Sequence, residues 1–109
     1  MIMIAVRNST TLAIKGDIHE ARSLIKEARR TEEAEHPVAL IQSAILRSSA
    51  VHLLTKAAFE LKMAGQARRA LIVVSHVNPE KEKARGNVVK AFDSISPEGS
   101  DALGYILNR

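Results

Sequence analysis

Apolar and polar positions along most of this chain recur with the period of a helix rather than that of a strand. Across residues 17–35, Ile18, Ala21, Leu24, Ile25 and Ala28 return at helical steps, with Glu20, Arg22, Lys26, Glu27, Arg29 and Arg30 on the other side. This predicts an amphipathic helix with Asp17 as its cap. Pro37 then predicts a break followed by the first turn of a second helix, where a missing backbone N–H leaves no hydrogen bond unmade.

The next segment, 38–64, has 27 residues without Gly or Pro, and Val38, Ile41, Ala44, Ile45, Val51, Leu54, Ala58 and Leu61 trace its apolar stripe. Between residues 38 and 55 the only formal charge is Arg47. A helix so poor in charge belongs at the centre of a bundle or in an interface between copies of the chain.

Gly65 ends that helix, and "QARRALIVVSHV" follows. Its β-branched run Ile72, Val73, Val74 favours a strand, for which "MIMIAV" at the start of the chain would be the partner. Ala67, Ala70, Leu71, Val74 and Val77 instead fit one helical face, which is the preferred reading. Asn78-Pro79 is expected to end the element, leaving "EKEKARG" as a solvated connection. Val88, Val89, Phe92 and Ile95 form a further apolar face, and Ser96-Pro97-Glu98 is a helix-start signal leading to Leu103, Ile106 and Leu107.

An internal correspondence supports this reading. Aligning Gly16 with Gly65, a shift of 49 positions, pairs Ile4 with Leu53, Leu12 with Leu61, Ala21 with Ala70, Ile25 with Val74 and Ala28 with Val77. Each copy would be an αα-hairpin turning at its glycine, with the first helix starting almost at Met1. The stretch "KGDIHEARSLIKEA" resembles the turn and second helix of a tetratricopeptide repeat: Gly16 and Asp17 match the turn, and Ala21, Ile25 and Ala28 match the packing positions. In the second copy Leu54, Ala57, Ala58, Leu61, Gly65, Ala70 and Val74 continue the match. The resemblance covers about half the chain and implies helix-pair packing and protein binding. It departs from the family in its 49-residue spacing, in Asn8 and Ser9 at packing positions, and in the places of Pro37 and Pro79.

The expected fold is therefore all-α: a single domain over 1–109, of about five helices, built on two αα-hairpins around a long central helix. The alternative is an α+β arrangement with strands at 1–6 and 70–77. Expected packing residues are Leu54, Ala58, Leu61, Ala70 and Val74.

Composition narrows the function. Aromatics make up 3% of 109 residues, so few rings are available to stack on nucleic-acid bases. There is no cysteine for a disulfide frame, a thiolate site or a thiol nucleophile. No uninterrupted apolar run approaches membrane-spanning length and the opening lacks a basic region before its apolar one, so a cytoplasmic protein without a membrane partner is expected. Net charge is +4, and residues 62–90 carry seven basic residues against two acidic ones, a bias that attracts phosphate or an acidic protein partner.

Candidate chemistry is sparse. Glu33-x-x-His36 could face one metal ion, but a di-metal bundle requires a second such pair and further carboxylates. Arg47-x4-His52 resembles the Arg-x4-6-His signature of HEPN ribonucleases, which implies His as proton carrier and Arg as stabiliser of the phosphorane charge. Ser48 replaces the polar amide usual after that arginine. No phosphate loop or nucleophile elbow occurs, so no catalytic residue, cofactor or metal is assigned. Arg68, Arg69, Lys81, Lys83, Arg85 and Lys90 are the candidate contact residues for a partner or a phosphate backbone, with a helix-turn-helix around Asn78-Pro79 as one form of the latter. The leading expectation is a small non-enzymatic protein-interaction module, adaptor, chaperone or inhibitor-like, that binds a protein partner and presents Arg68 and Arg69. A nucleic-acid-binding regulator using the 62–90 segment is the alternative and a HEPN-like ribonuclease the third reading; self-association through the 38–55 helix is compatible with each.

Overall fold

The computed structural model describes residues 2–95, with side chains from residue 11 onward, and every regular element in them is a helix. The elements are α1 (Ile2–Glu32), α2 (Pro37–Met63), α3 (Ala67–Val74) and α4 (Val77–Asp93). The all-α expectation holds, and the strand alternative does not: the described residues of both stretches proposed for strands, 2–6 and 70–77, lie on helical backbone, apart from the turn at Ser75 and His76. The helix expected after Ser96-Pro97-Glu98 lies outside the described residues.

The chain turns where local chemistry demands it. Glu35, with φ 51°, supplies the left-handed residue between α1 and α2. His36 then caps α2 by accepting a hydrogen bond on Nδ1 from the Val38 N–H at 3.1 Å, and Pro37 sits in the first turn as expected. At the other end Gly65 has φ 79°. Its N–H donates to the Lys62 carbonyl at 3.0 Å and the Gln66 N–H donates to the Leu61 carbonyl at 2.9 Å, the paired bonds of a Schellman motif. The hairpin expected at Gly65 is thus formed.

Four expectations are corrected here. α1 runs through Gly16 without turning, so the first of the two hairpins is absent. A glycine in mid-helix is tolerated when the residues around it are helix formers packed along one seam, and among the described glycines only Gly65 takes a left-handed conformation. Asp17, expected as a cap, is consequently interior to α1, where its carboxylate lies 3.4 Å from Lys56 Nζ. Asn78-Pro79 does not end a helix either; it lies in the first turn of α4. The break falls earlier, at Ser75 and His76, both still in the right-handed helical region. Pro79 lacks the N–H that would bond the Ser75 carbonyl and crowds that carbonyl, so α3 and α4 form one rod kinked a turn before the proline. "EKEKARG" is therefore helix, not connection.

Three rods result, and α2 packs against α1 on one side and α3–α4 on the other. Their seams share one spacing. Thr11, Ile14, Ile18, Ala21, Ile25, Ala28 and Glu32 of α1 are all buried or half-buried at alternating steps of three and four. Leu40, Ser43, Arg47, Ala50, Leu54, Ala57 and Leu61 do the same on α2, and Ala70, Val73, Val77, Glu80, Ala84, Asn87 and Ala91 carry the seam unbroken across the kink. This is the heptad spacing of left-handed coiled-coil packing, with alanines in many seam positions.

The expected packing residues Leu54, Ala58, Leu61 and Ala70 are buried, but Val74 is 48% exposed. The seam on this rod passes through Val73 because Val77, four residues on, must stay in phase with α4; Val74 and Leu71 are turned one residue away from it. Val38 and Ile45, assigned to the apolar stripe of α2, are likewise exposed, as are Val89 and Phe92 on α4.

Candidate functional site

Two constellations stand out, one buried and one open. The buried one is ionic. Arg47, 2% exposed, lies between carboxylates from the two neighbouring rods. Its Nε donates to Glu32 Oε1 at 2.6 Å and its Nη2 to Oε2 at 3.0 Å, a two-pronged contact, while Nη1 donates to Glu80 Oε2. Ser43 Oγ and Asn87 Nδ2 also donate to Glu32 Oε1, at 2.6 and 2.7 Å. Lys83 Nζ approaches Glu80 Oε1 at 3.8 Å, so two carboxylates meet two cations. The hydrogen bonds from Arg47, Ser43 and Asn87 hold the Glu32 carboxyl down at about 2, against the opposing pull of burial, and the carboxylates push Arg47 up. Every charge in this cluster is occupied by another, which is the chemistry of a structural device and not of a reactive site.

That geometry bears on the resemblance to HEPN ribonucleases. Five residues of helix separate Arg47 from His52 by roughly 140° around α2. Arg47 faces inward and is saturated by carboxylates; His52 is exposed on the outer face, so the two do not converge. Of the Glu33 and His36 pair, the imidazole of His36 serves as the helix cap.

The open constellation is a cleft between α1 and α3. Leu61, near the end of α2, lines it together with Ile14 and Ile18 of α1 and Ile72 and Val73 of α3; Thr11, Lys15, Gln66 and Arg69 complete it. Its volume is about 200 Å³. The cleft exists because the Gly65 turn ends α2 there and returns the chain as the short, kinked rod, while α1 extends alongside both. Leu12, Leu71 and Ile72 add apolar surface, each more than 60% exposed. Lys15 and Arg69 have no ion-pair partner among the described residues, so the charge at this apolar cleft is positive.

Of the six predicted contact residues, Arg69 alone lines this cleft. Arg68 is exposed but does not line it, and Lys83 lies beside Glu80. On α4, Lys81 and Arg85 lie roughly 200° around the helix from Lys83, and Lys90 shares the face of Lys83. Arg85 and Lys90 also share a shallow depression with Glu82 and Asp93. The six cations are therefore spread over several faces instead of forming one stripe. No turn of helix-turn-helix type forms at Asn78-Pro79, because those residues are inside α4. Lys15 and Ile14 were not anticipated, and Ile18 was expected only as a packing residue, although their i, i+1 and i+4 spacing beside Ala21 marks a charge at the edge of the α1 seam.

A comparison with protein-family models, curated proteins and solved structures finds no match. By length and composition alone α2 is long and apolar enough to cross a membrane, a test that the core helix of a bundle also passes. The burial of Ser43 and Arg47 against the flanking rods gives it the packing of a core helix.

Proposed function

We propose that this chain is a non-enzymatic protein-interaction module that takes an acidic amphipathic helix of a partner into the cleft between α1 and α3. The observation that carries the reading is the combination of apolar lining, Ile14, Ile18, Leu61, Ile72 and Val73, with the charges of Lys15 and Arg69, which have no ion-pair partner among the described residues. An amphipathic helix buries its i, i+3, i+4 and i+7 residues in such a groove, and flanking Asp or Glu side chains meet the cations. The hairpin through Gly65 is the element that presents the face, in keeping with a hairpin-built binding protein. The nucleic-acid alternative draws on the same net charge of +4, but its cations lie on separate faces, which favours the protein partner.

Selection of displayed helical peptides against the whole chain tests this. Enriched sequences should be amphipathic and acidic, and should lose binding at least tenfold in Arg69→Glu and in Ile18→Glu. Enrichment of basic sequences, or binding indifferent to both substitutions, refutes the reading.

A further inference from the structure

The cleft leaves a second surface unexplained, the outer face of α2. Along it lie Val38, Ile41, Ile45, Ser48, Ser49, His52, Thr55, Phe59 and Met63. Val38 is 57% exposed, Ile45 60%, Phe59 66% and Met63 74%. In a chain where 26% of residues are charged, residues 38–55 offer solvent no formal charge at all, because Arg47 points inward. Glu20 and Leu24 of α1 and Val88 of α4 flank its central part, making a shallow trough around Ile45 and His52.

The order of residues on this face is nearly palindromic. Reflecting the helix about residue 50 brings Ile41 opposite Phe59, Ser48 opposite His52 and Ile45 opposite Thr55; Val38 falls opposite Met63 within one residue. At 100° per residue, Ile41 and Phe59 lie at the same angle around α2, and Val38 and Met63 within about 20° of each other. A two-fold axis in the contact plane preserves that lateral position, so an antiparallel pair of α2 helices matches large apolar residues at both ends, with Ile45 level with Thr55 and Ser48 level with His52 nearer the middle. We infer that this face is a self-association surface, occupied by α2 of a second copy in antiparallel, isologous contact. Charge points to the same occupant: two copies of a chain of net charge +4 repel one another, and the charge-free stretch 38–55 lets the central part of the helix meet its copy with no like charges opposed, while Lys56 at its edge falls level with residue 44 of the second copy. The strip is about 40 Å long and one helix wide, so each copy contributes roughly 400 Å² before the flanking side chains are added. That is the size of a weak, reversible dimer.

The absence of native cysteine allows a positional test. Ser49→Cys lies next to the two-fold axis and should form a disulfide-linked dimer readily on mild oxidation. Val38→Cys lies far from its own copy and should not, but an equimolar mixture of Val38→Cys with Met63→Cys should cross-link. In sedimentation, the unmodified chain should show concentration-dependent dimer, and Ile45→Glu with Phe59→Glu should be monomeric at unchanged helicity. A wild type that stays monomeric at millimolar concentration overturns the inference, and so does Val38→Cys self-linking as fast as Ser49→Cys. Peptide binding in the cleft is read separately, so failure here leaves that proposal standing and failure there leaves this one.

Discussion

Glu32→Gln is the most informative perturbation of the buried cluster. Glu32 accepts hydrogen bonds from Arg47 Nε and Nη2, Ser43 Oγ and Asn87 Nδ2, and its carboxyl is lowered from 4.5 to about 2. A shift of that size corresponds to about 3 kcal/mol of stability, somewhat less once the partial solvent contact of this side chain is allowed for. The sign follows from the direction. Because the folded-state value is depressed, the contribution is fully present above the unfolded value of 4.5 and disappears as pH falls toward about 2. Glutamine keeps the shape and one acceptor oxygen but neither titrates nor neutralises Arg47. Urea denaturation followed by far-UV circular dichroism, at steps from about pH 7 to about pH 2.5, should show the variant about 2–3 kcal/mol less stable at neutral pH. The gap should close across the acid range, and taking the difference between the two proteins removes the other carboxylates. A gap constant with pH, or below about 0.5 kcal/mol at pH 7, would refute the account of Glu32 as a charge held by its neighbours.

Arg47→Leu strands the Glu80 carboxylate, 6% exposed, without its guanidinium and should cost about 3–5 kcal/mol by the same denaturation. Replacing Glu32, Arg47 and Glu80 together by Leu, Met and Leu should recover most of that loss; failure to recover would mean the cluster contributes net stability and not only register. The two glycines should respond in opposite directions to alanine. Gly16→Ala, in mid-helix with open space around its α-carbon, should stabilise by about 0.5–1 kcal/mol, whereas Gly65→Ala, at φ 79°, should destabilise by about 1–2 kcal/mol. Equal signs would mean that both are turns or that neither is. Leu54→Ala should cost about 2–5 kcal/mol in thermal or urea unfolding, while Val74→Ala stays within about 0.5 kcal/mol, since only the first side chain lies in the seam.

The sequence by itself determined the helical class and several punctuation points. Pro37 in a first turn, the reversal at Gly65 and the unbroken run between them are local events, set by φ, by missing donors and by propensity, and they are legible because they need no partner. The apolar stripes of α1 were legible too, since Ala21 and Ala28 lie in its seam with Ile18, Leu24 and Ile25 half-buried beside them. The tertiary structure decided which face of α2 is inside. A search for apolar residues selects Val38 and Ile45, yet the buried positions include Ser43 and Arg47, because carboxylates from α1 and α4 satisfy them across the seam. No single helix carries that information: a buried arginine is identical in sequence to a solvated one until its partners, 15 residues earlier and 33 later, are brought to it. The candidate cleft has the same character. Arg69 could be singled out from its basic neighbourhood, but Lys15 and Ile18 join it only when α1 runs straight through Gly16 and the Gly65 turn brings α3 back beside it. Local conformational preference chose the helices; long-range pairing of charge and volume chose what they enclose and what they leave exposed.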